Sequence, residues 1–136
     1  MAWKTLECDS IPDTTVMSIL IVKDKGSVSF TLNCDATKYI SNKGFLFYEV
    51  MHDSEENKIG LKLLKQSSEH CRKINFIKNT ASKNSNSRIS CGFSREWKSL
   101  CNILNIPSFE KSIKYELKQE DDNLFVFNCS NPISIK

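Results

Sequence analysis

RISCGFSREWKSLCNILN, residues 88–105, places a β-strand directly before an amphipathic helix. Polar and apolar residues alternate from Arg88 to Phe93, as they do in a strand with one buried face. Ser94 then stands where it can cap the helix, and Pro107 follows where a helix near Asn105 must have ended. Apolar residues recur at the i, i+3, i+4 and i+7 spacing that puts them on one helix face. They are Trp97, Leu100, Cys101 and Leu104.

Two strands are predicted after this helix, at Ile113–Leu117 and Leu124–Phe127. The polar segment 118–123 lies between them and is predicted to be the loop of a hairpin. The second half of the chain therefore reads as a strand, a helix and a hairpin.

The first half has the same order of predicted elements. The alternating segment 27–32 predicts a strand, and a short helix follows through Tyr39 and Ile40, capped by Asn33 or Asp35 and ended by Gly44. Strands at 45–51 and 59–64 are joined by the acidic loop 52–58. A buried strand at 16–22 and the turn 23–26 precede this set.

Residues of the two halves correspond at an offset of 61 to 67 positions, which indicates an internal duplication. Tyr48-Glu49-Val50 corresponds to Tyr115-Glu116-Leu117, and Ser29 corresponds to Ser90. We therefore predict an α+β fold of mostly antiparallel strands, in which two strand-helix-hairpin repeats form one compact β-barrel-like unit. Its predicted parts are an N-terminal arm (1–15), a first repeat (16–64), a basic linker (65–86), a second repeat (87–129) and a C-terminal tail (130–136).

Length and composition are those of a single globular domain. The chain has 136 residues, of which 40% are hydrophobic and 26% charged, and these values exclude a collagen-like, coiled-coil or wholly disordered chain. The longest apolar run, 16–22, is too short to span a bilayer, and the N-terminus lacks the pattern of a signal peptide. The six cysteines are therefore expected to be reduced and mostly buried in a cytoplasmic protein of a bacterial cell or a phage-infected host.

No motif of catalysis or metal binding stands out. His70 and Cys71 adjoin, but neighbours on a loop seldom hold the geometry of a nucleophile and its base, and no third orienting residue can be nominated. The cysteines lack the close spacing of a zinc site, and the four glycines are isolated from one another. The sequence thus predicts no enzyme, no cofactor and no metal. Acidic residues at 53–56 and 120–122 are expected at solvated hairpin tips.

Positive charge is concentrated in one part of the chain. The net charge is +3, but between Lys65 and Arg88 six basic residues stand against the single acid Glu69. Such a basic connector either is a solvated linker or forms a surface for phosphates or for an acidic protein. The predicted binding residues are this group and the cations that flank the two opening strands: Lys23, Lys25, Lys65, Arg72, Lys73, Lys78, Lys83, Arg88 and Arg95.

The order of elements resembles the AbrB/SpoVT-like swapped-hairpin domain, present here as two divergent repeats over about residues 26–128. Gly26-Ser27-Val28-Ser29 and Ser87-Arg88-Ile89-Ser90 look like the opening strand of that family, and Gly44 to Val50 resembles its glycine-then-strand segment. The family's proline after the opening strand is missing from both halves. The resemblance implies DNA binding and transcription regulation by a pseudo-dimeric monomer or a homodimer.

A second function class stays open beside DNA binding. The chain has the size of the accessory or inhibitor proteins that phages and mobile elements use against host proteins, and the same basic face can dock an acidic protein surface. Salt separates the two hypotheses, because phosphate contacts weaken steeply with added salt, whereas an interface centred on apolar anchors does not.

Overall fold

The computed structural model describes residues 17–77 and 88–136, so the predicted arm and part of the predicted linker lie outside the described residues. Within these ranges the chain is a mixed α/β fold of mostly antiparallel strands with two helices. The elements are β1 (Ser18–Asp24), β2 (Ser27–Leu32), α1 (Cys34–Lys43), β3 (Phe47–Asp53), β4 (Lys58–Leu64), β5 (Arg72–Lys73), β6 (Phe76–Ile77), β7 (Arg88–Gly92), α2 (Ser94–Ile103), β8 (Ser112–Glu116), β9 (Lys118–Asp121), β10 (Leu124–Asn128) and β11 (Ser134–Ile135).

The strands form two sheets, which we name sheet A and sheet B. Sheet A has the order β11-β8-β1-β2-β7-β6, and sheet B has the order β5-β3-β4-β10-β9. Every described pairing is antiparallel. Both sheets are open, because each has two edge strands, so the predicted barrel-like closure is not supported.

The route of β8 explains why a barrel does not form. The sequence predicts a hairpin of β8 and β10 with 118–123 as its loop, and this prediction is wrong. β8 pairs with β1 and β11 in sheet A, whereas 118–121 is a strand of its own that pairs with β10 in sheet B. The buried Leu117 separates the two strands, so the chain passes from one sheet to the other without joining them by hydrogen bonds.

The segment predicted as a basic linker contributes two short strands. Arg72–Lys73 pairs with β3 in sheet B, and Phe76–Ile77 pairs with β7 in sheet A. Between them Ile74 is buried, and its N–H donates to the carbonyl of Leu46 at 2.9 Å. This part of the connector therefore ties the two sheets together at their edges.

Helix α1 begins and ends where the sequence predicts. The Asn33 side chain accepts the Ala36 N–H at 3.2 Å, which satisfies one of the free donors of the first turn. Gly44 ends the helix with φ 77°, and its N–H donates to the carbonyl of Ile40. That left-handed backbone is the one that glycine adopts at no steric cost.

Helix α2 has the predicted position but differs in two details. Ser94 does not cap the helix, because its hydroxyl both accepts the N–H of Val28 at 2.8 Å and donates to the Val28 carbonyl. Of the predicted apolar face, Trp97, Leu100 and Leu104 are buried, but Cys101 is exposed. The helix is therefore fixed to β2 by a serine that the sequence assigns to capping.

Aromatic side chains contribute ring contacts to the hydrophobic core, which takes residues from both sheets and both helices. Phe30 contacts Phe93 and Tyr48 edge-on, with ring centroids 5.0 and 5.4 Å apart, and Trp97 contacts Phe109 at 5.7 Å. Of the strand aromatics predicted as core, Phe45, Tyr48, Phe125 and Phe127 are buried, whereas Phe47 is half-buried.

The pairing of β4 with β10 is symmetric about one residue pair. Gly60 pairs with Val126, which lies 66 positions later, and on either side Ile59 pairs with Phe127 and Leu61 with Phe125. Two backbone hydrogen bonds beyond these pairs are related to each other by the same offset of 66 positions. The Leu63 N–H donates to the Asn123 carbonyl at 2.7 Å, and the Cys129 N–H donates to the Asn57 carbonyl at 2.9 Å.

Candidate functional site

In the strands of sheet A, every second residue faces away from the core, and most of these outward residues are polar. Ile19, Ile21, Phe30, Ile89 and Ile113 point into the core, so their neighbours form the other face. Register aligns these neighbours across the sheet, since Lys114 pairs with Leu20, Leu20 with Thr31, and Thr31 with Ser90. We call this surface the outer face of sheet A. Its residues include Leu20, Val22, Ser29, Thr31, Arg88, Ser90, Ser112, Lys114, Ser134 and Lys136.

Three cations lie on this face beside hydroxyl groups. A groove of about 320 Å³ runs along it. No acidic side chain of the described residues lines this groove, and on β8 the acid nearest to Lys114 is Glu116 at the end of the strand. Cations and hydroxyls without a competing carboxylate are the donors that contact phosphate oxygens. The lining residues are Ser18, Leu20, Thr31, Leu32, Asn33, Arg88, Ser112, Lys114, Ser134 and Lys136.

Of the seven predicted binding residues that the structure describes, only Arg88 lines this groove. Arg88 is exposed, and it pairs with Ile77 at the β6 edge of sheet A. Lys78 and Lys83 lie outside the described residues.

The remaining predicted cations are dispersed over other parts of the molecule. Lys23 is bound within the fold, because its ammonium donates to the Phe109 carbonyl at 3.1 Å and lies 4.2 Å from the centroid of that ring. Lys73 is opposite Phe47 on sheet B, and Lys65 lies 6.0 Å from the Phe45 ring. Lys25 is exposed in the turn that joins β1 to β2.

Arg72 and Glu96 form an ion pair between β5 and α2. One carboxylate oxygen of Glu96, Oε1, contacts Arg72, whereas Oε2 is buried without a hydrogen-bond partner among the described residues. Arg95 and Glu96 line a cleft between α2 and β3 together with His52. Arg72 therefore links β5 to α2 through its Nε, while its side chain stays 43% exposed.

Tyr48 and Cys91 lie beneath this ion pair and stay protonated at neutral pH. Burial is the main cause that raises the pKa of both groups above their ordinary values, and for Tyr48 the nearby charge of Glu96 adds to the effect. A thiol whose pKa is raised is a poor nucleophile. Cys91 and Cys129 are buried as predicted, but Cys34 and Cys71 are partly exposed and Cys101 is exposed, so the prediction that the cysteines are mostly buried is wrong for three of the five described.

The His70-Cys71 pair lies in a loop of the described chain. The Sγ of Cys71 accepts the Ser68 N–H at 3.1 Å in a loop turn. Among residues 17–77 and 88–136, no three His, Cys, Asp or Glu side chains are close enough together to hold a metal ion. No helix in the same ranges is long and apolar enough to cross a membrane.

Sheet B presents a more apolar outer face. Met51 lies beside Gly60, which lies beside Val126, and Leu124 is the next apolar residue on β10. A Cβ on Gly60 would stand 3.4 Å from Leu124 and 3.6 Å from Met51, so the glycine leaves a shallow depression there. Met51 is 47% exposed. This is an apolar surface with acids and lysines around it.

Sequence reasoning missed Lys114 and Lys136 as members of the site. Lys114 stands between the core residues Ile113 and Tyr115, so alternation alone directs it outward. Its position beside Leu20 depends on the pairing of β8 with β1, which the sequence does not indicate. Comparison with protein-family models, curated proteins and solved structures finds no match for this chain.

Proposed function

We propose that the protein is a non-enzymatic DNA-binding protein of the regulator kind, and that it contacts phosphates through the outer face of sheet A. The observation that carries this proposal is the groove in which Arg88, Lys114 and Lys136 stand among hydroxyls, with no acid among the described residues that line it. Such a face supplies charge for the phosphates and hydrogen-bond donors for their oxygens.

The proposal includes an internal duplication and the resemblance to the AbrB/SpoVT-like domain. The pairing of Gly60 with Val126 supports the duplication, because two copies of one hairpin related by a two-fold axis would place equivalent residues opposite each other. The order strand, helix, strand recurs as β2-α1-β3 and β7-α2-β8. A pseudo-dimeric monomer follows from this reading. The five described cysteines are free thiols, which supports the proposed reducing, cytoplasmic location.

The test of the proposed function is binding of a fluorescent 16-base-pair DNA duplex, measured by anisotropy at 25 to 200 mM salt. Arg88→Thr and Lys114→Thr each remove one charge and leave a residue that suits a strand. Each change should make the slope of log affinity against log salt shallower by about 0.9, the effect of one phosphate contact.

Lys62→Thr and Lys73→Thr are the matched controls, because they remove the same charge from exposed strand positions of sheet B. The slope should stay unchanged in both. Loss of affinity in these controls, with Arg88→Thr and Lys114→Thr unaffected, would place the binding surface on sheet B instead.

The apolar outer face of sheet B favours protein binding as the second candidate function. Met51 is 47% exposed and adjoins Leu124 and Val126 around Gly60, and a contiguous exposed apolar patch of this kind marks a site of protein interaction. Met51→Lys would weaken such an interface. If the wild type binds no DNA and Met51→Lys abolishes capture of a partner from the host, this candidate replaces DNA binding.

A further inference from the structure

The cations on the outer face of sheet A stand at two separate margins. Lys114 is three strands away from Ser90 along one row of paired residues, and at about 4.8 Å per strand this row is about 14 Å wide. Arg88 is two residues from Ser90 along β7, which adds about 6.6 Å in the other direction. The Cα atoms of Arg88 and Lys114 are therefore about 16 Å apart.

Lys136 belongs to the Lys114 margin. Its N–H donates to the carbonyl of Ser112 at 2.8 Å, so it continues the β11–β8 pairing of Ser134 with Lys114. Two residues along the strand and one strand across place its Cα about 8 Å from that of Lys114. One margin of the face thus carries two cations close together, and the other carries Arg88.

The floor between the margins consists of short, uncharged side chains. It is made of the short side chains of Leu20, Thr31 and Ser90, and no aromatic residue is on the outer face among the described residues of sheet A. Unpaired bases are held by proteins chiefly through stacking on aromatic rings. This floor offers no such platform, so it is suited to a ligand whose bases are already paired.

Resting on the proposed function, we propose that this face binds double-stranded DNA across one groove, with Arg88 on the phosphates of one strand and Lys114 with Lys136 on those of the other. The major groove of B-DNA is about 12 Å wide, and side chains that reach outward from Cα atoms about 16 Å apart can meet both of its walls. A flexible single strand can reach both margins, but between them its unpaired bases find no aromatic ring to stack on among the described residues. Contacts of this kind read the backbone, so affinity should depend little on base sequence.

The experiment compares three probes of equal length by anisotropy at 25 mM salt: a 16-base-pair DNA duplex, one of its single strands, and the RNA duplex of the same sequence. The DNA duplex should bind at least about five-fold more tightly than either other probe, since the major groove of RNA is deep and narrow. Arg88→Thr should remove most of this preference, because only one margin then remains. Lys62→Thr, the control on an exposed position of sheet B, should keep it.

Three outcomes separate the two proposals. Equal or tighter binding of the single strand would overturn the groove-spanning mode while DNA binding itself stands. Equal binding of the RNA duplex would overturn the assignment to the major groove of B-DNA. Absence of binding to all three probes would overturn the proposed function and this inference together.

Discussion

Replacing Asn57 should destabilise the fold in two separable ways, because a left-handed backbone and a bridging side chain meet in this residue. Its φ is 58° at the tip of the β3–β4 hairpin. Its amide nitrogen donates to the Asn105 carbonyl at 2.6 Å and to the Ser130 hydroxyl at 2.9 Å, and its amide oxygen accepts the Asn105 N–H at 2.8 Å. Three segments distant in sequence therefore meet at one side chain.

The two contributions can be given magnitudes. Hydrogen bonds at exposed positions contribute about 0.5 kcal/mol each, the low end of their usual range, so three of them contribute about 1.5 kcal/mol. An alanine held in the left-handed region adds a cost of about 1 kcal/mol, which glycine avoids. Asn57→Gly should therefore lower the free energy of unfolding by about 1.5 kcal/mol, and Asn57→Ala by about 2.5 kcal/mol.

Equilibrium urea unfolding, followed by far-UV circular dichroism, measures both values. Asn123→Ala is the control at the tip of the other hairpin, where the side chain makes one long bond of 3.3 Å to the Leu63 carbonyl, and it should cost less than about 1 kcal/mol. Equal effects of the glycine and alanine variants would refute the backbone contribution. Wild-type stability of both variants would refute the bridge.

Three further experiments test the core and the ion pair. Trp97→Ala should cost about 3 to 5 kcal/mol in the same unfolding assay, whereas Cys101→Ala on the exposed side of α2 should cost less than about 0.5 kcal/mol, and similar losses would contradict the observed helix face. Burial raises the pKa of the Cys129 thiol to about 12, so the unfolded chain loses this proton before the folded chain does. The free energy of unfolding should therefore stay constant below about pH 8.5 and fall as the pH rises toward 12. Cys129→Ala should make that fall shallower in urea titrations at pH 8 to 10, and an unchanged slope would refute the contribution of the thiol. Arg72→Met leaves the half-buried carboxylate of Glu96 unpaired and should cost more than the double variant Arg72→Met with Glu96→Gln, and additive losses in this double-mutant cycle would show that the pair is not coupled.

Local signals in the sequence predict the elements whose causes are local. The cap at Asn33 and the left-handed Gly44 bound α1 correctly, because both act on residues within one helical turn. The strand 27–32 is confirmed with its predicted bounds, since its alternation follows directly from one buried face. Strands 47–53 and 58–64 are each displaced by one or two residues from their predicted ends.

Features that depend on distant partners escape the sequence. Ser94 carries every sign of a capping residue, yet its hydroxyl binds Val28, which is 66 residues away. The strand 118–121 is Lys-Gln-Glu-Asp and fully exposed at a sheet edge, so it lacks the apolar alternation by which strands are recognised. The prediction of a loop there is wrong for that reason.

The candidate site also combines features that have local causes with features that depend on distant partners. Alternation places Lys114 on the outside of its strand, and Arg88 begins a predicted strand, so each cation could be predicted to be exposed. That they share a face depends on the register of β8, β1, β2 and β7. Pairings between distant residues set this register, such as Leu20 with Lys114, which are 94 positions apart. The density of positive charge along the sequence instead predicts a binding surface at the basic connector. The described cations of the connector are dispersed over the structure, and Arg72 is paired with Glu96.

DNA binding through the outer face of sheet A is tested most directly by a titration of ¹⁵N-labelled protein with the 16-base-pair DNA duplex, read as changes in amide chemical shift. We expect the largest changes on the outer face of sheet A, at Thr31, Ser90 and Lys114, while Lys62 and Val126 of sheet B stay unchanged. Changes confined to sheet B, or no changes at a several-fold excess of duplex in 25 mM salt, would contradict it.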